Sequence, residues 1–238
     1  ESQFQTNYLS HYYLAMLLVD KLKANPDGAR LVTQSSISAA WVPFPACCGG
    51  CCSRLCGFGP VDFSGGGAWP AKSGACCAYE PMDSYAYSKA AQVIFSGELD
   101  RRLFEGSKVM ALSVEPGSNP YTSIHQDGRG SMCLQFMFNY TCLPCLLTVF
   151  CIKKELDVMA SSAVYVALSD KVERGAYYRN NLKYKCRGPA GDPKHGPPLW
   201  ELSAKCVKDK AGVQVPNADA DAPAVQAIER KGGGGGEL

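Results

Sequence analysis

The chain reads as an α/β fold in which strands alternate with amphipathic helices, the pattern of a parallel sheet covered by helices. Three stretches predict it. Residues 29–36 (ARLVTQSS) form a short apolar strand that ends in two serines. Residues 84–106 (SYAYSKAAQVIFSGELDRRLFEG) set Ala90, Val93, Ile94, Gly97, Leu99 and Leu103 at helical spacing, with Gly106 as a stop. Residues 108–117 (KVMALSVEPG) form a second strand closed by Pro-Gly.

Composition narrows the function classes. At 238 residues and 46% hydrophobic, the chain can bury a substantial core, as one domain with additions. A net charge of +2 without a long basic stripe argues against electrostatic binding of nucleic acid. No secretory signal is present, and an opening on Glu1 rather than Met predicts a fragment of a longer protein. The 13 cysteines are odd in number and bunched (Cys47, Cys48, Cys51, Cys52 and Cys56, then Cys76 and Cys77). That arrangement predicts reduced thiols in a cytoplasmic setting, not a disulfide framework.

The remaining elements follow in order. Residues 2–24 predict a helix whose apolar stripe is Leu9, Tyr13, Leu14, Leu17, Leu18 and Leu22, ended by the turn Asn25-Pro-Asp-Gly28. Residues of about 40–83, rich in Gly, Cys and Pro, show no periodicity and predict an irregular insertion. Its Cys48-Gly-Gly-Cys51 is half of a zinc-knuckle pattern, but the second pair is adjacent and no histidine lies between the clusters, so no metal site is assigned. Residues 132–152 form the most apolar run. At membrane-spanning length it is interrupted by Gln135, Asn139 and Pro144, which favours an apolar lid over about 131–152 with monotopic membrane contact. Residues 155–169 read as a further helix and 175–180 (GAYYRN) as the last strand. From Lys208 the composition turns to Ala, Asp, Lys and a glycine run, which predicts a disordered tail over 208–238.

The chemistry concentrates on Tyr85 and Lys89, four residues apart and therefore on one helix face. A nearby ammonium favours the phenolate, lowers the tyrosine pKa and makes it a usable acid/base. Such a pair alone arises by chance about once in a chain of this composition. Its neighbours give it meaning: strand, serine, Tyr-x-x-x-Lys helix, strand and Pro-Gly, in that order, resemble the short-chain dehydrogenase/reductase family. Two further stretches resemble its retinol-dehydrogenase type: FQTNYLSHYYLAMLLVDKL near the start, and a Pro-rich loop leading to Leu-Trp-Glu-Leu-Ser near the end.

The resemblance covers 1–207 and implies the C-terminal part of a doubly wound parallel-sheet (Rossmann-like) domain whose first half, with its glycine-rich turn, is absent from this sequence. It implies catalytic roles for Tyr85, Lys89, Ser36 and Asn7. Tyr85 would exchange the proton on the substrate oxygen, and Lys89 would lower its pKa and bind the cofactor ribose. Ser36 would hold the oxygen, and Asn7 would hold a water linking the lysine to solvent. It also implies cofactor contacts from Pro116, Gly117 and Thr122, with Ser118 or Ser123 as alternatives to the threonine. The implied cofactor is NADP, with NAD as the alternative, and the implied substrate a small lipophilic alcohol or carbonyl compound such as a retinoid or steroid-like compound. A homodimer through the helix carrying Tyr85 and peripheral membrane contact are further implications. The long gap between Ser36 and Tyr85 is shared with protochlorophyllide reductases. Two alternative readings follow: an enzyme of that kind, and an inactive remnant that acts by protein association.

Overall fold

A computed structural model describes residues 2–40, 81–117 and 156–220. Four strands form one sheet in the order β1 (Ala29–Gln34), β2 (Val109–Glu115), β3 (Tyr177–Arg179), β4 (Leu182–Tyr184). The first three are parallel, with Ala29 opposite Val109 and Ser113 opposite Tyr177. β4 turns back antiparallel through Asn180 and Asn181, both at positive φ. Residues 175–180 therefore do not hold the last strand, as expected from the sequence; a hairpin partner follows.

Alternation along β2 assigns the two sheet faces. Val109 and Ala111 join the core made with helices α1 (Ser10–Lys23), α2 (Pro81–Leu99) and α4 (Gly196–Ala211). Leu112 and Val114 point the other way, into a smaller core under α3 (Leu156–Leu168). Helices on both faces of a parallel sheet are the doubly wound arrangement expected from the sequence.

Two helices depart from regular α geometry. A single turn at Ser2–Phe4 leads into a π-helical turn, Gln5–Leu9, before α1 begins. α2 likewise ends in a π turn, Asp100–Phe104, and Gly106 at φ 75° stops it, a conformation that favours glycine.

The expected stripe on α1 is corrected. Tyr8, Tyr12, Ala15, Met16 and Val19 are buried, whereas Leu14, Leu17 and Leu18 are 53%, 51% and 39% exposed. Both sets recur at helical spacing. Aromatic complementarity chooses between them: Tyr12 meets Phe95 and Trp200 edge-on at 5.2 and 5.8 Å, and the Tyr8 hydroxyl lies 2.7 Å from the Ser203 hydroxyl.

The boundary expected at 207 is also corrected. α4 runs on to Ala211, and the segment after it lies against α2 and α4. The Trp200 indole donates to the Ala218 carbonyl, Arg102 donates to that of Ala220, and Val215 is buried. The insertion, the lid and Thr122, Ser118 and Ser123 lie outside the described residues.

Candidate active site

The site forms where the end of β1, the first turns of α2 and the π turn before α1 meet. The two serines that end β1 divide the work. Ser35 is structural: its N–H donates to Val114 O at 2.8 Å and its hydroxyl to Lys89 O at 2.8 Å, which fastens α2 to the sheet. Ser36 is left to face Tyr85, and its hydroxyl opposes part of the rise that burial imposes on the phenol's pKa. The Ser36 hydroxyl also accepts from Ser38 N at 3.3 Å, so the chain turns sharply while the oxygen keeps its place.

One turn along α2, the Lys89 ammonium lies 5.7 Å from the centre of the Tyr85 ring. It donates to the Gln34 carbonyl at 3.0 Å and to Gln92 Oε1 at 3.2 Å. Both acceptors are neutral, so these contacts offset the loss of water only in part. Burial accordingly pulls the Lys89 pKa down to about 8.

The sequence argument that Lys89 lowers the tyrosine pKa is corrected here. Burial raises the Tyr85 pKa, and the Ser36 hydroxyl opposes only part of that rise. The lysine points its N–H groups at Gln34 and Gln92, and desolvation of the phenol prevails. At neutral pH Tyr85 keeps its proton.

Asn7 joins the group through its backbone and its side chain. In the π turn the Ser10 N–H reaches back to Gln5 O. The Asn7 carbonyl accepts from Gln92 Nε2 at 2.5 Å, and His11 Nδ1 lies 2.8 Å from it. The Asn7 side-chain amide donates to Ser88 Oγ at 3.0 Å, and Ser88 in turn donates to Tyr85 O. A π turn that frees a carbonyl is a recurrent feature of functional sites. Ser36, Tyr85, Lys89 and Asn7 are thus brought together, and the group that connects Asn7 to Lys89 is the side chain of Gln92. Sequence reading missed Gln92. Its position three residues after Lys89, on the same helix face, was the available signal.

At the end of β2, Glu115 is buried and paired with Arg179 at 3.0 Å. Pro116 follows, and Gly117 sits at φ 101°, where a side chain would be strained. The turn therefore stands at the carboxyl ends of parallel strands, where open α/β sheets bind ligands.

Known proteins share this order of elements. Over 218 residues the chain is 31% identical to the WW domain-containing oxidoreductase of Gallus gallus, an alignment covering 91% of this chain and 46% of that protein. It is 29% identical over 211 residues to retinol dehydrogenase 13 of Mus musculus, covering 87% and 53% of the two chains. A third relative is the short-chain dehydrogenase TIC 32 A of Brassica napus, at 26% over 215 residues, covering 87% and 57%. These relatives support assigning the chain to the short-chain dehydrogenase/reductase family. It spans about half the length of the curated relatives it matches. An uncharacterized protein of Mycobacterium paratuberculosis shares the fold, with a TM-score of 0.54 and 23% identity over 91% of this chain and 60% of that one. No family-level sequence profile matches the chain. Among the described residues no helix is long and apolar enough to cross a membrane.

Proposed function

We propose that the chain carries the catalytic part of a short-chain oxidoreductase that interconverts a lipophilic alcohol and its carbonyl compound with NADP(H). The observation that carries this reading is the meeting of Ser36, Tyr85 and Lys89 at the end of β1, with Lys89 one turn from a Tyr85 that burial keeps protonated. A protonated phenol beside a hydroxyl donor suits reduction of a carbonyl. The Ser36 hydroxyl donates to the carbonyl oxygen and holds it, and Tyr85 delivers its proton as negative charge grows there. In the opposite direction the same phenol oxygen takes the alcohol proton.

Lys89 fits a role toward the cofactor as well. An ammonium has three N–H donors, and two are placed on Gln34 and Gln92, which leaves one for a ribose hydroxyl. Lys89, Tyr85, Pro116 and Gly117 would hold the nicotinamide end, and the nicotinamide supplies or accepts the hydride. The apolar run at 132–152 supports a lipophilic substrate. The choice of NADP over NAD follows the resemblance to retinol dehydrogenases.

The test is NADPH binding to the 238-residue chain by fluorescence, with reduction of a retinoid aldehyde followed by loss of NADPH absorbance. Tyr85→Phe is expected to keep cofactor binding and lose at least ~100-fold in turnover, the usual range for an acid/base group. A folded chain that binds neither NADPH nor NADH overturns the reading. The alternative is action by protein association, and a specific observation favours it: Leu14, Leu17 and Leu18 stand exposed on α1 beside β1, an edge strand among the described residues.

A further inference from the structure

Among the described side chains around Lys89, Gln92 is the one that joins it to Asn7. Gln92 is buried, 3% exposed, on the sheet-facing side of α2. Its amide is used at both ends. Oε1 accepts from Lys89 Nζ at 3.2 Å, and Nε2 donates to the Asn7 carbonyl at 2.5 Å. The two ends are chemically distinct, so the amide has only one satisfactory orientation: its oxygen must meet the ammonium and its nitrogen the carbonyl. Both partners are unusual. Among the described residues no carboxylate pairs with Lys89, and the Asn7 carbonyl belongs to the π turn. His11 Nδ1, on an exposed residue, lies 3.3 Å from Gln92 Nε2 and 2.8 Å from the same carbonyl.

We propose that Gln92 is a positioning residue, the neutral clamp that holds the Lys89 ammonium beside Tyr85 and locks it to the π turn through the Asn7 carbonyl. Its catalytic meaning rests on the oxidoreductase reading above. An amide oxygen stabilises the charged lysine without fixing the charge permanently, which a carboxylate at the same place would do. It also occupies the direct line between Lys89 and Asn7, so the link between them is a side chain whose place is set by two bonds. Among the described residues, the titratable groups around this bridge are Tyr85 on the same helix and His11 on α1. Ser35 binds only the lysine backbone. Main-chain packing supports a fixed geometry: the Thr33 hydroxyl lies 3.5 Å from Gln92 O and 3.3 Å from Leu112 O, between helix and sheet.

Two isosteric substitutions separate clamp from filler. Gln92→Met removes both hydrogen bonds and keeps the volume. Gln92→Glu keeps the acceptor toward Lys89 and adds charge, but loses the donor toward Asn7. Lys89 is then titrated in the 238-residue chain by pH-dependent acetylation with acetic anhydride, read by mass spectrometry, with circular dichroism as the check on folding. The midpoint for Lys89 is expected to fall by ~1 pH unit in Gln92→Met and to rise by at least as much in Gln92→Glu. Midpoints that coincide in all three proteins overturn the proposal. If Gln92→Met fails to fold, the upward shift in Gln92→Glu decides alone.

Turnover distinguishes this from the reading it rests on. In an active chain, kcat in Gln92→Met is expected to fall ~10-fold or more with KM little changed, and the pH profile to move in the direction of the lysine midpoint. Shifted midpoints in a chain that binds no nicotinamide cofactor would sink the oxidoreductase reading and leave the clamp standing. Normal turnover in both variants, with unshifted midpoints, would sink the clamp and leave the oxidoreductase.

Discussion

The middle of α2 and its C-terminal end bury charge in opposite ways. At the middle, Lys89 is held by a backbone carbonyl and an amide oxygen, and its pKa falls to about 8. Where it ends, the carboxylates of Glu98 and Asp100, each 5% exposed, are answered by arginine. Glu98 binds Arg101 and Arg102, and Arg102 stacks 5.1 Å from the Trp200 ring and reaches Ala220. Asp100 accepts from Ala111 N at 3.0 Å and from Arg174 Nε at 2.9 Å, while Arg174 also donates to Phe104 O and Val109 O. The C-terminal end spends its buried charges on joining helix, sheet and C-terminal segment. The middle leaves a cation incompletely compensated, which is the condition for a group that titrates near neutral pH. A single helix thus separates architecture from chemistry along its length.

Asp100→Ala should produce the largest change. It strands Arg174 and removes the acceptor of Ala111 N, a loss of about 3 kcal/mol after allowance for the part-exposed arginine. Calorimetric unfolding measures it, and a change under about 1 kcal/mol would show that this end is not architecture. Glu98→Gln should cost about 2 kcal/mol, because one acceptor oxygen remains for Arg101 or Arg102 while the charge is lost. Its distinctive sign is earlier release of residues 212–220, read by hydrogen exchange at Ala218 and Ala220. Unchanged exchange there would break the link between Glu98 and the C-terminal segment.

Lys89→Met should give the smallest shift, with the opposite sign. The folded-state pKa of Lys89 lies below that of the unfolded chain, so the unfolded state binds more protons between about pH 8 and 10.5. Wild-type stability therefore carries the full penalty below pH 8 and recovers it as pH rises through that window. Removing the amine should raise stability at pH 7 by about 1 kcal/mol, net of two lost hydrogen bonds, and abolish the rise in stability that wild type shows between about pH 8 and 10.5. A variant less stable than wild type at pH 7, with the same pH dependence, would make the middle of α2 like its C-terminal end.

How much of this was legible depended on whether a feature is local. The spacing of Tyr85 and Lys89 on a helix, and Ser36 at the end of an apolar strand, were readable because backbone periodicity alone sets them. Gln92 was not, since a glutamine on a helix acquires meaning only when Asn7, 85 residues earlier, presents a carbonyl to it. The π turn left no mark in the hydrophobic pattern for the same reason.

The sequence by itself determined the first three strands and the helices between them, and the order of its motifs, through the resemblance it carries, the doubly wound class and four of the residues that meet at the site: Asn7, Ser36, Tyr85 and Lys89. The strands and helices follow from periods of two and 3.6 and from glycine stops. Tertiary structure decided which stripe of α1 is buried. Tyr8, Tyr12 and Met16 compete with Leu14, Leu17 and Leu18 on equal periodicity, and Phe95 and Trp200 select the aromatic set by edge-on ring contacts. It also decided that 212–220 packs, through Trp200 and Arg102, and that Tyr85 is a protonated phenol. Burial and partner choice are sums over residues distant in the chain, and no local pattern contains them.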